Sequence, residues 1–256
     1  MKRLLATLPL ALLGLAPAAA PEPPKANPHA DADGQALVAQ LLAQTPAQNL
    51  TNRGVLKIRA AKGPWREVPV RFQIFATDAG WASVYETGGT NSAAMRLTVT
   101  RNAAGALEYR LAQATDGATL VCAGQVLAGA GTMVPFAGSD FWAADLGLEF
   151  LRWPTQRLLR KELTRGQSCN VLESLAPTGQ TNGYVRVLAW LDIDTGGVVY
   201  AEGYDARGKL LKEFAPKAFK KVGGQWELEE MEISNRRTGS RTRIQFNLAS
   251  ETPPAH

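Results

Sequence analysis

The chain has 256 residues, of which 45% are hydrophobic, 7% are aromatic and 20% are charged. This length is consistent with one or two domains, and the hydrophobic content excludes a chain that is disordered throughout. A formal net charge of only +5 does not indicate a nucleic-acid-binding protein.

The first twenty residues have the organisation of a secretion signal. A charged start at Lys2 and Arg3 precedes an apolar stretch, Leu4–Leu15, and small residues around Ala20 supply the cleavage pattern. The apolar stretch is shorter than the roughly 20 residues that span a bilayer, and no cysteine lies near the cleavage site to carry a lipid. We therefore expect a periplasmic protein whose signal peptide, residues 1–20, is cleaved near Ala20.

The next segment predicts a leader and one helix. Residues 21–32 are rich in proline and alanine, which is typical of a disordered leader. Asp33 can accept hydrogen bonds from free backbone N–H groups, so we place the start of a helix there. Leu37 and Leu41 then form one apolar stripe, and Pro46 ends the segment because the residue before a proline is pushed out of the helical region.

From Val55 onwards the apolar residues alternate with a period of two, as in strands. Turns of Asn, Asp and Gly separate these runs every 8–12 residues, which is typical of an antiparallel sheet. The clearest hairpin turn is Asp194–Gly197, since glycine tolerates a positive φ. The pattern is interrupted between about 139 and 160. There we predict a helix that begins at Ser139 or Asp140, a break at Pro154 and a short helical turn that contains Leu158 and Leu159.

A sheet of ten or eleven strands must curl in order to bury one face. The sequence thus predicts a mainly β protein with a few helices. The predicted fold is an incomplete, half-open antiparallel β-barrel of about ten to eleven strands, covered by a helical lid. We assign residues 33–248 to a single domain of this kind and residues 249–256 to a flexible tail.

Three blocks in the second half of the chain resemble a known family. They are Gly138-Ser-Asp-Phe-Trp-Ala-Ala-Asp145 with Cys169–Glu173, Trp190-Leu-Asp-Ile-Asp-Thr-Gly-Gly197 continuing to Lys212, and Val222-Gly-Gly-Gln-Trp226 continuing to Thr242. These blocks resemble the outer membrane lipoprotein-sorting family of LolA/LolB-like periplasmic carriers, over roughly residues 35–248.

The resemblance implies an eleven-stranded incomplete barrel around helices, with an apolar cavity for acyl chains. It also implies a chaperone role in outer-membrane biogenesis, between an inner-membrane release machinery and an outer-membrane acceptor. The absence of a lipid-attachment cysteine places the chain with the soluble carriers of the family. None of the three blocks is catalytic.

Candidate lipid-binding residues follow from the alternation and the predicted lid. They are Val70, Phe72, Ile74, Phe141, Trp142, Leu146, Phe150, Val185, Val187, Tyr200, Leu228, Ile244 and Phe246. Alternation alone does not say which face of a strand is concave, so each of these residues can also be an ordinary core residue. The lid can equally be a helix that plugs the half-barrel permanently.

The sequence offers little catalytic chemistry. His29 lies in the leader and His256 is the last residue, so a Ser-His-Asp or Cys-His mechanism and a histidine-based zinc site lack their histidine. Cys122 and Cys169 form either a disulfide or two separate buried thiols. Asp192 and Asp194, with Glu202 nearby, suit a carboxylate hydrolase in principle, but Asp194 occupies a turn position.

A basic stripe runs late in the chain, between Arg236 and Arg243. It is interpreted either as the solvated face of a strand or as a site for an anionic headgroup.

We therefore predict a monomeric, non-enzymatic carrier without cofactor, metal or nucleic-acid partner, which binds lipoprotein acyl chains or another lipid. The alternative is a non-catalytic envelope protein-interaction module with a solid interior. A hydrolase that uses Asp192 and Asp194 is a third hypothesis.

Overall fold

The structure, a computed structural model, describes residues 27–46, 49–77, 80–89, 92–102, 105–114, 124–222 and 224–248. In this part of the chain, thirteen strands form one antiparallel sheet, accompanied by two α-helices and two short 3-10 helices. The predicted signal peptide and the predicted tail lie outside the described residues.

The thirteen strands form two meanders that meet in the middle of the sheet. The strands of the first meander are β1 (Leu50–Arg59), β2 (Arg66–Thr77), β3 (Gly80–Gly89), β4 (Ser92–Arg101), β5 (Leu107–Ala114) and β6 (Gln125–Leu127). Those of the second are β7 (Thr155–Thr164), β8 (Gln167–Leu175), β9 (Arg186–Asp192), β10 (Val198–Tyr204), β11 (Leu210–Val222), β12 (Gln225–Asn235) and β13 (Arg241–Phe246). β1 pairs with β13, which joins the two meanders, and β6 and β7 are the two edges of an open sheet.

The sheet is strongly curled. β3 and β9 lie seven positions apart in the strand order, which would separate them by about 34 Å in a flat sheet at about 4.8 Å per position. Tyr85 of β3 and Val187 of β9 nevertheless line the same cavity. The predicted mainly β, half-open antiparallel architecture is therefore confirmed, and the face that surrounds this cavity is called the inner face below.

The predicted count of ten to eleven strands is wrong, because two strands gave a weak sequence pattern. Leu158 and Leu159, which were expected in a helical turn, lie in β7. Two adjacent leucines break the alternation of this strand, and its pairing with β8 shifts register between Leu158 and Arg160. The other weak strand, β6, has only three residues.

Helix α1 (Ala30–Ala43) covers part of the inner face. It begins three residues before the predicted start at Asp33, so the end of the predicted leader is helical. Leu37 and Leu41 pack against a cluster that contains Leu172 of β8 and Leu191 of β9. Gly34 lies so close to the backbone of Gln156 in β7 that a Cβ at this position would overlap it.

The segment between the two meanders is less helical than predicted. It contains α2 (Ala143–Leu146) and two 3-10 helices, Gly129–Thr132 and Glu149–Arg152, in place of one helix through this region. Leu148 adopts a left-handed conformation with a φ of 49°, which ends α2 after one turn. Residues 129–153 are called the insert below.

Candidate functional site

An apolar cavity of about 450 Å³ lies between the inner face of the sheet and the insert. Its walls come from β1–β3 and β9–β13 together with the insert. Aliphatic and aromatic side chains dominate the lining, so the cavity suits an apolar ligand.

Seven of the thirteen predicted lipid-binding residues line this cavity. They are Phe72, Phe141, Leu146, Phe150, Val187, Leu228 and Phe246. Their strands and the insert bring them together from distant parts of the sequence. That they line the cavity is a finding, whereas contact with a lipid stays a prediction.

The other six predicted residues lie elsewhere. Val70 and Ile244 are buried in the core beside the cavity. The same core contains Phe136 and Phe141. Ile74 and Val185 are half-buried and do not contribute to the cavity wall.

Trp142 and Tyr200 lie outside the cavity wall for local reasons. The ring of Trp142 packs on Tyr184, with a centroid distance of 4.7 Å. Tyr200 packs on Trp190 at 5.1 Å, in a cluster separate from the cavity, because the pairing of β10 with β9 shifts register between Val198 and Tyr200.

Sequence reasoning missed a buried lysine in the cavity wall. Lys212 of β11 is 3% exposed, and among the described residues it is the one basic side chain that lines the cavity. Its position was detectable, since Lys212 occupies the same face of the strand as the apolar residues Leu210 and Phe214, two positions to either side.

Lys212 ties β11 to the insert. Its Nζ donates to the backbone carbonyl of Asp140 at 2.6 Å and lies 3.4 Å from Oδ2 of Asp145. It also lies 3.2 Å from the centroid of the Trp142 ring, a cation–π distance. Burial lowers the pKa of Lys212 to about 8, because desolvation disfavours the ammonium more than the carboxylates of Asp145 and Asp140 favour it.

Asp140 fixes the insert to the start of β13. Its carboxylate accepts hydrogen bonds from the hydroxyls of Ser240 at 2.6 Å and Thr242 at 3.0 Å. The backbone N–H of Asp140 donates to the same Thr242 hydroxyl at 2.9 Å. These contacts explain why the block Gly138–Asp145 combines polar and aromatic residues, since the polar ones anchor the aromatic ones.

A groove of about 500 Å³ adjoins the mouth of the cavity. Cavity and groove share four residues, namely Gly197, Val198, Pro216 and Phe219. The groove also includes Trp226, the side chain of which is 71% exposed, while Phe219 is 56% exposed. The apolar surface therefore continues from the cavity out to solvent.

Cys169 and Asp192 occupy positions with a structural role. Cys169 is buried in β8, where burial raises the pKa of its thiol. Cys122 lies outside the described residues, so the disulfide stays a prediction. Asp192 accepts hydrogen bonds from both the N–H and the hydroxyl of Thr195 at 2.8 Å, which is a turn role.

Ion pairs occupy two arginines of the predicted basic stripe. Arg236 lies 2.7 Å from a carboxylate oxygen of Glu213, and Arg243 lies 2.7 Å from one of Glu232. In the described part of the chain, no group of three or more His, Cys, Asp or Glu residues is placed to hold a metal ion. No helix there is long and apolar enough to cross a membrane.

Solved structures of three proteins share this fold. The chain is similar to a DUF1329 family protein from Desulfovibrio piger and to a domain named for outer membrane lipoprotein sorting from Vibrio parahaemolyticus. Each match has a TM-score of 0.65 and 19% identity, and covers 88% of this chain and 94% of that chain. A LolA superfamily protein from Nitrosomonas europaea matches with a TM-score of 0.51 and 15% identity, over 84% of this chain and 91% of its own.

These matches define the class of protein as one with a LolA-like fold, and they confirm the predicted resemblance. A family model described as an uncharacterized protein matches residues 125–252, from β6 to beyond β13. The chain belongs to this family. Among curated proteins, none matches the chain.

Proposed function

We propose that this protein is a periplasmic carrier that binds a lipid acyl chain, such as the chain of a lipoprotein, in the apolar cavity. The observation that carries the proposal is the cavity of about 450 Å³ that the inner side chains leave open. Its size falls in the range of ligand pockets, roughly 300–1,000 Å³. The names of two structural relatives, which refer to lipoprotein sorting and to the LolA superfamily, favour this ligand class.

The volume suits one acyl chain. A methylene group is similar in size to a water molecule, whose share of the liquid volume is about 30 Å³, so the cavity corresponds to on the order of fifteen methylene groups. At about 0.8 kcal/mol for each buried CH₂, such a chain gains on the order of 10 kcal/mol before ordering costs. Binding therefore requires no strong polar contact, which agrees with the composition of the wall.

In this proposal the insert covers the bound chain. Phe141, Leu146 and Phe150 contribute to the cavity wall from the insert. Phe141 is 1% exposed, whereas Leu148 is exposed and also touches the cavity. We therefore expect the part around Leu148 and Phe150 to yield when a ligand enters, and the part around Phe141 to stay in place.

A binding experiment tests the carrier function. The variant Ala201→Phe places a ring in the cavity, so it should weaken binding of a fluorescent sixteen-carbon fatty acid more than tenfold. Leu163→Phe, at an exposed position of β7, is the matched control and should bind like the wild type. Native mass spectrometry of protein purified from its own host should show bound lipid. Protein that is always empty and takes up no fatty acid would favour the interaction module.

The remaining parts of the proposal concern processing and domain organisation. We propose that residues 1–20 are removed as a signal peptide, which sequencing the N-terminus of the exported protein tests. We propose that residues 33–248 fold as one domain, so urea should unfold the protein in a single transition.

Transfer of cargo from an inner-membrane release machinery to an outer-membrane acceptor is the route that this carrier would serve.

A further inference from the structure

β10 and β11 separate before either strand ends. Their ladder runs from Tyr204↔Leu210 to Ala201↔Phe214. Both strands are described throughout, and within them Val198–Tyr200 and Ala215–Val222 extend beyond this ladder. Pro216 supplies a reason, because proline has no N–H to donate to a neighbouring strand.

The separation opens the groove described above. One strand contributes Val198 and Val199, and the other contributes Pro216 and Phe219. β11 remains paired with β12 as far as Val222↔Gln225, so only its edge toward β10 is released. A short length of strand edge therefore faces an apolar groove that leads into the cavity.

We propose that this groove binds the first residues of an acylated polypeptide as an added strand beside Val198–Tyr200, while the acyl chain lies in the cavity. A strand edge recognises the backbone of an extended peptide through main-chain hydrogen bonds, whatever its sequence. Three residues of strand span about 10 Å, so the site takes about three ligand residues. This inference rests on the proposed carrier function and names the second half of its ligand.

The charges favour a peptide over a bilayer surface. The hairpin that carries Phe219 and Trp226 contains three lysines and three glutamates between Lys217 and Glu230, so it offers no net positive charge to anionic lipids. The groove itself is lined by Arg165 and Asp192 among other residues. Side chains of both signs can bind the polar groups of a short peptide.

The test compares three ligands by calorimetry: hexadecanoyl-tetrapeptide, free hexadecanoate and the tetrapeptide without its acyl chain. We expect wild-type protein to bind the acylated peptide at least tenfold more tightly than the fatty acid. Trp226→Ser should weaken the acylated peptide about tenfold, the scale of an aromatic anchor, and change the fatty acid less than twofold. Trp65→Ser is the matched control, since Trp65 is 38% exposed and lines neither the cavity nor the groove.

Amide hydrogen exchange provides the direct test of strand addition. Those backbone amides of Val198–Tyr200 that point away from β9 should gain protection with the acylated peptide and not with hexadecanoate. Equal affinity for these two ligands, or no added protection, would overturn this inference and leave the carrier function intact. Failure to bind any acyl ligand would overturn both. If Trp226→Ser reduces binding to phosphatidylglycerol vesicles but not to the acylated peptide, the groove is a membrane contact and the inference is wrong.

Discussion

Two regions of the inner face differ in how completely they are filled. In the core that contains Leu97 and Ile244, Phe136 of the insert is fully buried against the strands. Beside β9–β11, Val187 and Phe214 face the cavity. Both regions belong to one sheet with the same alternation of side chains. The difference therefore arises from the side chains that the insert contributes.

The largest expected difference comes from one substitution made in each region. Phe136→Ala should destabilise the protein by about 3–5 kcal/mol, because it leaves a void in a filled core. Phe214→Ala should cost about half as much or less, since Phe214 is half-buried and already borders empty space. Urea unfolding at equilibrium measures both. Equal losses would show that the two regions are packed alike.

The second prediction concerns the contact between Lys212 of β11 and Asp145 of the insert. Asp145→Asn should cost about 2–3 kcal/mol, since it leaves the Lys212 ammonium buried without a carboxylate beside it. Adding Lys212→Met should recover most of that loss, because no buried charge then remains at the pair. Thermal and urea unfolding of the single and double variants form the cycle. Additive effects of the two substitutions would contradict a coupled pair.

A glycine pair tests the close packing of the insert. A Cβ at Gly147 would overlap the ring and hydroxyl of Tyr109, so Gly147→Ala should cost about 1–3 kcal/mol. Gly131, also in the insert, has open space around its Cβ position. Gly131→Ala should therefore leave the unfolding midpoint almost unchanged. If both variants unfold alike, Tyr109 moves aside without cost.

The smallest expected effect is a dependence on pH. The pKa of Lys212 falls from 10.5 to about 8 on folding, so above pH 8 the unfolded chain holds more protons than the folded one. Stability should then rise with pH by roughly 1.4 kcal/mol between pH 7 and pH 9. The comparison is with Lys212→Met, which lacks this group but keeps the other titrating residues. The same slope in both proteins would show that the lysine titrates normally.

The sequence predicted the strands better than the insert, for a physical reason. Alternation of apolar residues follows directly from the strand period, and four of the candidates chosen from it, Phe72, Val187, Leu228 and Phe246, line the cavity. The conformation of the insert depends on tertiary contacts, such as that of Asp140 with Thr242, which is 102 positions away. The prediction from local propensity therefore gave the insert more helix than it has.

The candidate site was predictable in its chemistry and less so in its details. An apolar wall follows from composition and alternation, but Val70 and Ile244 satisfy the same pattern and lie in filled core. Which inward residues meet empty space depends on how far the insert reaches, and no single strand encodes that. The separation of β10 from β11 was marked only by Pro216, within an otherwise continuous strand.

The pairing of β1 with β13 has a consequence for the order of folding. Gly54 lies opposite Phe246, so the middle of the sheet forms only between segments that are far apart in the chain. Closing so long a loop is slow compared with forming the local hairpins. Until β13 has been made, β1 and β12 lack the strand that pairs with both of them. A truncation before Arg241 would therefore remove β13, the strand that joins the two meanders.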